Sequence, residues 1–213
     1  MRKLFQILAC LTIGYGLGCI NPAFIAGKRR GYDVRESGSR NAGASNTVLM
    51  AGKLTGFFVA MADILKAWLS WKLCRRFFPM MKLAGILGGT SCILGHMYPA
   101  PLGFKGGKGL ACLGGVALAY NPRTFFIMLA MAIIIGLTSK YIAIVTVTMS
   151  VVFPIYHGLE SGFWLGSLVL LIPAIPIFIK HLENFRRIKE GKEVRLSYIW
   201  DKEGEEKRLG VEE

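Results

Sequence analysis

Seven apolar runs alternate with short polar stretches along this chain. A helix that crosses the hydrocarbon core at right angles needs about 20 residues at 1.5 Å each, and several of the runs are shorter than that. The pattern predicts an all-α, polytopic membrane helix bundle of about seven short transmembrane helices. The runs occupy residues 4–26, 54–73, 83–97, 109–120, 124–138, 141–156 and 163–179.

The distribution of lysine and arginine predicts how this bundle is oriented. With the N-terminus outside, 18 cations fall on the inner side and 7 on the outer side, and Lys66 lies within a run. Because cytoplasmic loops carry the excess of positive charge, we expect the N-terminus outside and the C-terminus in the cytoplasm. The external segment 74–82 carries three cations and runs against the rule. The polar, glycine-rich stretches then all lie on the cytoplasmic side.

The chain divides into a transmembrane domain, residues 1–199, and a short tail, residues 200–213. The tail reads DKEGEEKRLGVEE after Trp200. It is highly charged and lacks apolar periodicity, so it is predicted to be a disordered cytoplasmic tail. The N-terminal run is long and is followed by basic residues rather than by a small-residue cleavage site. We therefore interpret it as a retained first span and not as a signal peptide.

Composition narrows the class of partner. The 213 residues are 53% hydrophobic and 18% charged, which is too apolar for an ordinary soluble domain, and the formal charge is +13. Lysine and arginine near a membrane surface favour anionic headgroups and anionic substrates. We expect membrane lipids as partners and no nucleic acid, because no basic soluble domain stands apart from the apolar runs. The five cysteines are scattered without a CxxC pair, so we interpret them as core residues and expect no metal site.

The first polar stretch that could carry chemistry is residues 36–46, ESGSRNAGASN. Serine, asparagine and glycine at this density allow backbone N–H groups and hydroxyls to converge on an oxyanion. Its Ser45-Asn46 pair precedes an apolar run and is typical of a helix N-terminus, which favours anions. A flexible connector is the alternative, and composition alone leaves both interpretations open.

The second stretch is residues 95–99, followed by Phe104 and the sequence KGGKG at 105–109. Two glycines, Lys108 and a further glycine before an apolar helix permit close approach of the backbone to a phosphate. The stretch is not a P-loop, because the glycine spacing is wrong and Gly109 replaces the required Ser or Thr. ATP hydrolysis is therefore disfavoured. A lone sequence of this kind is more often a turn than a site.

The third stretch is residues 180–193, KHLENFRRIKEGKE. His181 and Asn184 are three residues apart and share a face of a helix. The basic residues that follow them are typical of a juxtamembrane segment that contacts lipid headgroups. Asp63 and Lys66 lie inside the second apolar run, where an unpaired charge costs roughly 2.5–3.5 kcal/mol. We therefore expect these two side chains to pair with each other.

Taken together, the three stretches resemble the motifs of the membrane-integral acyl-phosphate:glycerol-3-phosphate acyltransferases of the PlsY type. Residues 38–46 resemble the family pattern GSGNxGATN, and residues 95–112 resemble GHxxPxFxxFxGGKGxAT. Residues 180–193 resemble RHxxNIxRLxxGxE, and the likeness covers most of residues 10–195. Three motifs in the same order at matching spacing are far more specific than any one of them.

The resemblance implies that residues 1–199 form a transmembrane acyltransferase domain. Its substrates would be glycerol 3-phosphate and a fatty acyl phosphate, and its products 1-acyl-glycerol 3-phosphate and phosphate, as in the first step of phospholipid synthesis. It further implies a multi-pass protein of a bacterial cell membrane with its active site facing the cytoplasm. No cofactor is expected, because the sequence has no P-loop and no compact cluster of Asp, Glu, His or Cys ligands. The oligomeric state stays open.

The resemblance also implies roles for particular residues, and we expect the three motifs to converge on one cytoplasmic pocket. The general base would be either His181 or an oxygen of a substrate phosphate. Catalytic roles fall on Ser39, Lys108, His181 and Asn184. Substrate-binding roles fall on Arg40, Asn41, Ser45, Asn46, His96, Gly106, Gly107, Gly109 and Arg187.

The chain departs from the family pattern at several positions. Leu49 stands where an arginine that helps to bind phosphate is usual, and Arg40 stands where a glycine is usual. Cys19 replaces a common Ser, Cys112 a usual Thr and Lys180 a usual Arg, which loses a bidentate fork. A non-catalytic paralogue is therefore one alternative. A transporter of an anionic metabolite is another, although the sequence shows no convincing internal repeat.

Overall fold

The computed structural model describes residues 1–210, and within that range the chain is all-helical with no strand, as predicted. Two short 3-10 turns, Ala100–Leu102 and Leu196–Ile199, complete the regular structure. The α-helices are α1 (Arg2–Cys19), α2 (Pro22–Arg29), α3 (Ala44–Ala51), α4 (Lys53–Phe77), α5 (Ala84–Met97), α6 (Leu110–Tyr120), α7 (Pro122–Ser139), α8 (Ile142–Ser161), α9 (Trp164–Leu171), α10 (Ala174–Lys189) and α11 (Lys202–Leu209).

Two of the predicted apolar runs are divided by proline. The first run breaks at Asn21, whose Oδ1 accepts the N–H of Phe24 at 2.8 Å and caps α2. Pro22 has no N–H with which to continue α1. The last run breaks where α9 ends and α10 begins just after Pro173. The first break brings the end of α1 and the start of α2 against the polar loops.

Five helical stretches within residues 1–210 are long and apolar enough to cross a membrane. They are Arg2–Arg29, Lys53–Phe77, Pro122–Ser139, Ile142–Ser161 and Trp164–Lys189. All seven predicted runs are helical, with the first and last divided as described. Helix α5 has 14 residues and α6 has 11, so these two are shorter than the other spans. Twelve of the 14 residues of α5 are buried. The shortest predicted spans are therefore covered by the longer ones.

Helix α5 lies at the centre of the bundle and packs against α1, α4, α6 and α9. Its contact with α1 is backbone to backbone, because a Cβ on Gly14 would collide with the carbonyl of Gly88. A Cβ on Gly18 would collide with the carbonyl of Cys92 in the same way. Small residues that let helices approach closely are typical of membrane interfaces. All five cysteines are free, and four of them are buried, which agrees with their interpretation as core residues.

The tail differs from its prediction. Residues 202–209 form α11 rather than a disordered segment, and the Asp201 carboxylate caps this helix by accepting the N–H of Gly204 at 3.0 Å. Glu205 is buried and pairs with Arg208, one turn later. These local contacts order a charged segment that has no apolar face. Residues 211–213 of the predicted tail lie outside the described residues.

Candidate active site

A polar cavity of about 310 Å³ lies at one end of the bundle. Three parts of the chain meet there: the loop between α2 and α3, the loop between α5 and α6, and the C-terminal half of α10. Six of the lining side chains are cationic and one is a carboxylate, so the cavity favours an anion. The lining residues are Arg35, Ser39, Arg40, Asn41, Phe104, Lys105, Gly106, Lys108, Lys180, Glu183 and Arg187.

The first motif forms a loop that is folded around the side chain of Asn46. Asn46 Oδ1 accepts the N–H of Ser39 at 2.8 Å, and its Nδ2 donates to the carbonyls of Val34 and Ser37, both at 2.9 Å. Asn46 is fully buried and does not line the cavity. Its side chain is occupied by the loop itself, so the expectation that Asn46 touches substrate is revised to a role in shaping the loop. Ser45 is exposed at the start of α3 and also lies outside the lining.

Arg40 is placed in the cavity lining by an uncommon backbone conformation. Its φ is +56°, in the left-handed region, and its N–H donates to the carbonyl of Ser37 at 3.1 Å to close a turn. Glycine adopts this conformation without strain, which explains why the family pattern has glycine here. Leu49 lies in α3 outside the lining. The loop therefore presents a guanidinium at position 40 and none at position 49.

The second motif folds back against the end of α5. The N–H groups of Gly106 and Gly107 donate to the carbonyls of Met97 and His96, at 3.2 and 3.1 Å. These two amides are therefore unavailable to a phosphate, which corrects the expectation that they hold it. A Cβ on Gly107 would collide with the His96 ring, so this glycine is needed for close packing. Gly109 is the N-cap of α6, with φ +95°.

Lys180 ties α10 to this loop. Its Nζ donates to the carbonyls of Met97, Gly106 and Gly107 at 2.8, 3.3 and 3.2 Å, and it lies over the ring of Tyr98. A lysine can make these bonds because its ammonium has three donors that point in different directions. The residue that replaces the usual arginine therefore holds the glycine loop and lines the cavity.

Lys108 is the most enclosed cation of the second motif. Its pKa is lowered to about 8, mainly by burial and also by the nearby Arg187, while Glu193 opposes the shift. Its Nζ donates to Asn184 Oδ1. Asn184 Nδ2 and Arg187 Nε donate to the two oxygens of Glu193 at 2.5 and 2.6 Å. The second and third motifs are thus joined by the bond from Lys108 to Asn184, and the buried carboxylate of Glu193 holds Asn184 and Arg187 in place.

His181 lies in α10, 1% exposed and outside the cavity lining. Its Nδ1 is 2.7 Å from the carbonyl oxygen of Ile177. Because a carbonyl can only accept, Nδ1 carries the proton and Nε2 of the neutral ring carries the lone pair. His181 therefore lies behind the cavity in a fixed tautomer.

His96 also lies outside the lining and belongs to a buried charged cluster. Lys66 Nζ is 2.8 Å from Asp63 Oδ1 and 3.0 Å from His96 Nδ1, so the expected pair of Asp63 and Lys66 is confirmed. The same ammonium donates to the carbonyls of Gly18 and Ile20 at the end of α1. Asp63 and His96 could ligate a metal together with a nearby cysteine thiol. The Lys66 ammonium already contacts Asp63 Oδ1 and His96 Nδ1 and supplies the positive charge of the cluster, so the residues do not fit a metal ion.

Sequence reasoning missed several residues of the cavity. Arg35 pairs with Asp33 at 2.6 Å and donates to the carbonyl of Leu102 at 2.8 Å, which joins the first and second motif loops. Hydrogen bonds from Arg35 lower the pKa of Asp33 to about 2. Lys105 and Glu183 also line the cavity. The sequence Asp-Val-Arg at 33–35 could have indicated the pair of Asp33 and Arg35, since it places opposite charges two residues apart.

Comparison with known proteins identifies relatives along almost the whole chain. A family model described as glycerol-3-phosphate acyltransferase matches residues 8–191. A glycerol-3-phosphate acyltransferase of Enterococcus faecalis is 35% identical over 204 residues, which covers 91% of this chain and 93% of the relative. One of Alkaliphilus metalliredigens is 32% identical over 193 residues, which covers 89% and 95%.

Solved structures agree with the sequence comparison. The chain is similar to the crystal structure of PlsY, an integral membrane glycerol 3-phosphate acyltransferase, in its glycerol 3-phosphate form. The TM-score is 0.81 and the identity 29%, with 91% of this chain and 96% of that chain covered. The lysophosphatidic acid form gives a TM-score of 0.79 at 28% identity, with 89% and 94% covered. The resemblance in the three motifs is confirmed: the chain belongs to the glycerol-3-phosphate acyltransferase family.

Proposed function

We propose that this protein transfers a fatty acyl group from an acyl phosphate to the hydroxyl of glycerol 3-phosphate. The products are 1-acyl-glycerol 3-phosphate and inorganic phosphate. Relatives named glycerol-3-phosphate acyltransferase and the glycerol 3-phosphate form of PlsY support the acceptor. The acyl phosphate donor rests on the resemblance in the three motifs.

The observation that carries the proposal is that one helix borders two kinds of space. The first half of α10 lines an apolar groove of about 560 Å³, with Ala174, Ile175, Phe178 and Ile179. The rest of the helix lines the cationic cavity, beginning at Lys180. A substrate with an acyl chain and an anionic head fits this change from apolar to cationic surface within one helical turn. The arrangement supports delivery of the donor from the bilayer and of the acceptor from water.

The chemistry requires positioning rather than a covalent enzyme nucleophile, because the donor is already activated. The acceptor hydroxyl oxygen attacks the carbonyl carbon of the donor, and an oxyanion forms. The bond between that carbon and the phosphate oxygen then breaks, and phosphate leaves with the electron pair. Fixed cations stabilise the charge that develops on the oxyanion and on the phosphate.

We assign the roles as follows. Lys108 and Arg40 contact substrate phosphate, with Arg187 beside them, and Ser39 and Asn41 bond to the polar acceptor. Asn184 holds Lys108 in position. The hydroxyl proton passes to an oxygen of a substrate phosphate, because His181 lies outside the cavity lining. His181 then supports the site from behind as a buried, neutral ring.

We further propose that α5 and α6 also enter the bilayer, which gives seven spans, and that the cavity faces the cytoplasm. The excess of lysine and arginine at the end of the bundle that holds the cavity supports this orientation. Contacts between Lys180 and Gly106, and between Leu196 and Lys140, are consistent with one common end for the inner loops. A single cysteine introduced at exposed Lys53 should react with a membrane-impermeant thiol reagent only after the cells are opened. Reaction in intact cells would reverse the topology.

The direct test is an acyl-transfer assay on the purified protein. Palmitoyl phosphate and labelled glycerol 3-phosphate should give labelled 1-palmitoyl-glycerol 3-phosphate and one equivalent of phosphate. Turnover should persist in EDTA, and palmitoyl-CoA should be a poor donor. Loss of activity in EDTA or a preference for acyl-CoA would contradict the proposed donor chemistry. A folded protein with no turnover would identify a non-catalytic paralogue.

A further inference from the structure

The chain reverses direction after α10 and returns across the cavity end of the bundle. The 3-10 turn Leu196–Ile199 is fastened by the Leu196 N–H, which donates to the carbonyl of Lys140 at 2.8 Å. The Leu196 side chain packs near Gly136 at the end of α7. Helix α11 follows and lies beside the turn that carries Glu193.

Arg208 of α11 holds that turn. Its Nη1 donates to the carbonyl of Gly191 at 2.5 Å, and its Nη2 donates to the carbonyl of Glu193 at 2.6 Å. The Glu205 carboxylate, 4% exposed, pairs with Arg208 and accepts the N–H of Arg195 at 2.8 Å. Because guanidinium N–H groups form a rigid fork, one side chain fixes two carbonyls of the turn together.

The side chain of Glu193 continues these contacts into the active site. Its two oxygens accept from Asn184 and Arg187, and Asn184 in turn accepts from Lys108. Arg187 and Lys108 both line the cavity. An unbroken series of hydrogen bonds therefore leads from α11 to two of the six cations that surround the candidate substrate.

We propose that α11 is a clasp on the active site and that Arg208 is a positioning residue. Arg208 fixes Glu193, which aims Arg187 at the anionic acceptor and holds Asn184 against Lys108. The identity of the anion rests on the proposed function. Both clasp residues, Glu205 and Arg208, lie beyond residues 8–191 that the family model matches.

A second carboxylate within reach of Arg187 explains why the clasp matters. Glu183 lies one turn earlier on α10, 3.7 Å from Arg187, and its side chain is 63% exposed. When Glu193 is no longer fixed, Arg187 pairs more closely with Glu183, which also lines the cavity, and the guanidinium is no longer aimed at the acceptor. The acceptor then meets one cation fewer, so its KM rises while the chemical step is preserved.

The test compares Arg208→Ala with Lys207→Ala, a matched change at an exposed cation on the same helix. Arg208→Ala should raise the KM for glycerol 3-phosphate by about two- to thirtyfold, the range expected for a residue that acts through a contact network. Both kcat and the KM for palmitoyl phosphate should stay near their wild-type values, as should every parameter of the control. Arg208→Lys should recover part of the loss, since an ammonium still reaches one carbonyl.

A double-mutant cycle tests whether Arg208 acts through Arg187. In an Arg187→Ala background, Arg208→Ala should raise the KM for glycerol 3-phosphate little further. If the two residues acted independently, the double variant would show the product of the two fold-changes. Inorganic phosphate provides a readout without turnover, because its protection against thermal unfolding should weaken in Arg208→Ala. If the wild type lacked acyl transfer but Arg208→Ala still weakened the protection by phosphate, the clasp would be supported and the proposed function refuted. The clasp would be overturned if Arg208→Ala left both the KM for glycerol 3-phosphate and the phosphate protection unchanged. It would also be overturned if both KM values rose while kcat and Tm fell in parallel.

Discussion

Replacement of Arg40 separates the effect of its backbone from that of its guanidinium. With φ at +56°, Arg40 stays in a conformation that costs an L-residue about 1 kcal/mol or more, and it lines the cavity from there. Arg40→Gly removes the strain, although glycine loses roughly 0.5–1 kcal/mol more entropy on folding. We expect stability equal to the wild type or up to about 1 kcal/mol higher. Arg40→Ala keeps the strain and should be the less stable of the two.

The affinity for glycerol 3-phosphate should fall in both variants, although their stabilities differ. A charged hydrogen bond is worth roughly 1.5–3 kcal/mol, and Arg40 is exposed, so the lower end of that range applies. Since each 1.4 kcal/mol is tenfold, the KM for glycerol 3-phosphate should rise about tenfold in both variants. Arg29→Ala, which removes an exposed arginine outside the cavity lining, serves as the matched control.

The assay combines initial rates at varied glycerol 3-phosphate with thermal unfolding of the purified protein in detergent. Leu49→Arg adds a third arm, because the family pattern places the phosphate-binding arginine there. On the Arg40→Gly background it should recover part of the lost affinity, and on the wild type it should do little. A normal KM in Arg40→Gly would refute the assignment of Arg40 to phosphate. A normal KM there together with no gain from Leu49→Arg would remove the phosphate role of the first motif.

Four further predictions concern the cavity and the buried charged cluster of Asp63, Lys66 and His96. Lys108→Ala should lower kcat/KM by about ten- to a hundredfold. Because the pKa of Lys108 is about 8, its charge is present below that pH and lost above it, so wild-type affinity for glycerol 3-phosphate should fall as pH rises through 8, and Lys108→Arg should show a smaller fall. Lys66→Met should cost about 3–5 kcal/mol, measured by denaturation, and the double variant with Asp63→Asn should cost less. Gly107→Ala should abolish turnover, while Gly16→Ala, where a Cβ meets open space, should not.

The helices and the buried ion pair could be predicted because membrane burial imposes a strict rule on the sequence. Every span must be apolar over most of its length, so all seven runs are helical, two of them with a break at proline. A charge inside a span must be paired, which identified Asp63 and Lys66. The five helical stretches that are long enough to span differ from the predicted seven, because two short helices are buried inside the bundle.

The functions of individual loop residues could not be predicted in the same way. Composition shows which groups a loop offers, but the folded loop uses many of them for itself. The Asn46 side chain makes three hydrogen bonds within its own loop, and the amides of Gly106 and Gly107 donate to carbonyls at the end of α5. Arg35 enters the cavity because its loop folds against Leu102, a contact between segments far apart in sequence. The order of α11 likewise depends on specific contacts, the Asp201 cap and the pair of Glu205 and Arg208, which composition does not reveal.

The burial of α5 bears on how the protein enters the membrane. A helix of 14 residues is about 21 Å long, and this one carries Thr90, Ser91 and His96 among its buried side chains. Such a segment gains little from contact with lipid, so it should leave the translocon only when partner helices offer it a surface. Its main neighbours α1 and α4 are synthesised before it, and Gly14 and Gly18 provide a groove into which its backbone fits. Bulky residues at these two glycines should therefore leave residues 84–97 outside the bilayer in a glycosylation-mapping experiment, even though the sequence of α5 itself is unchanged.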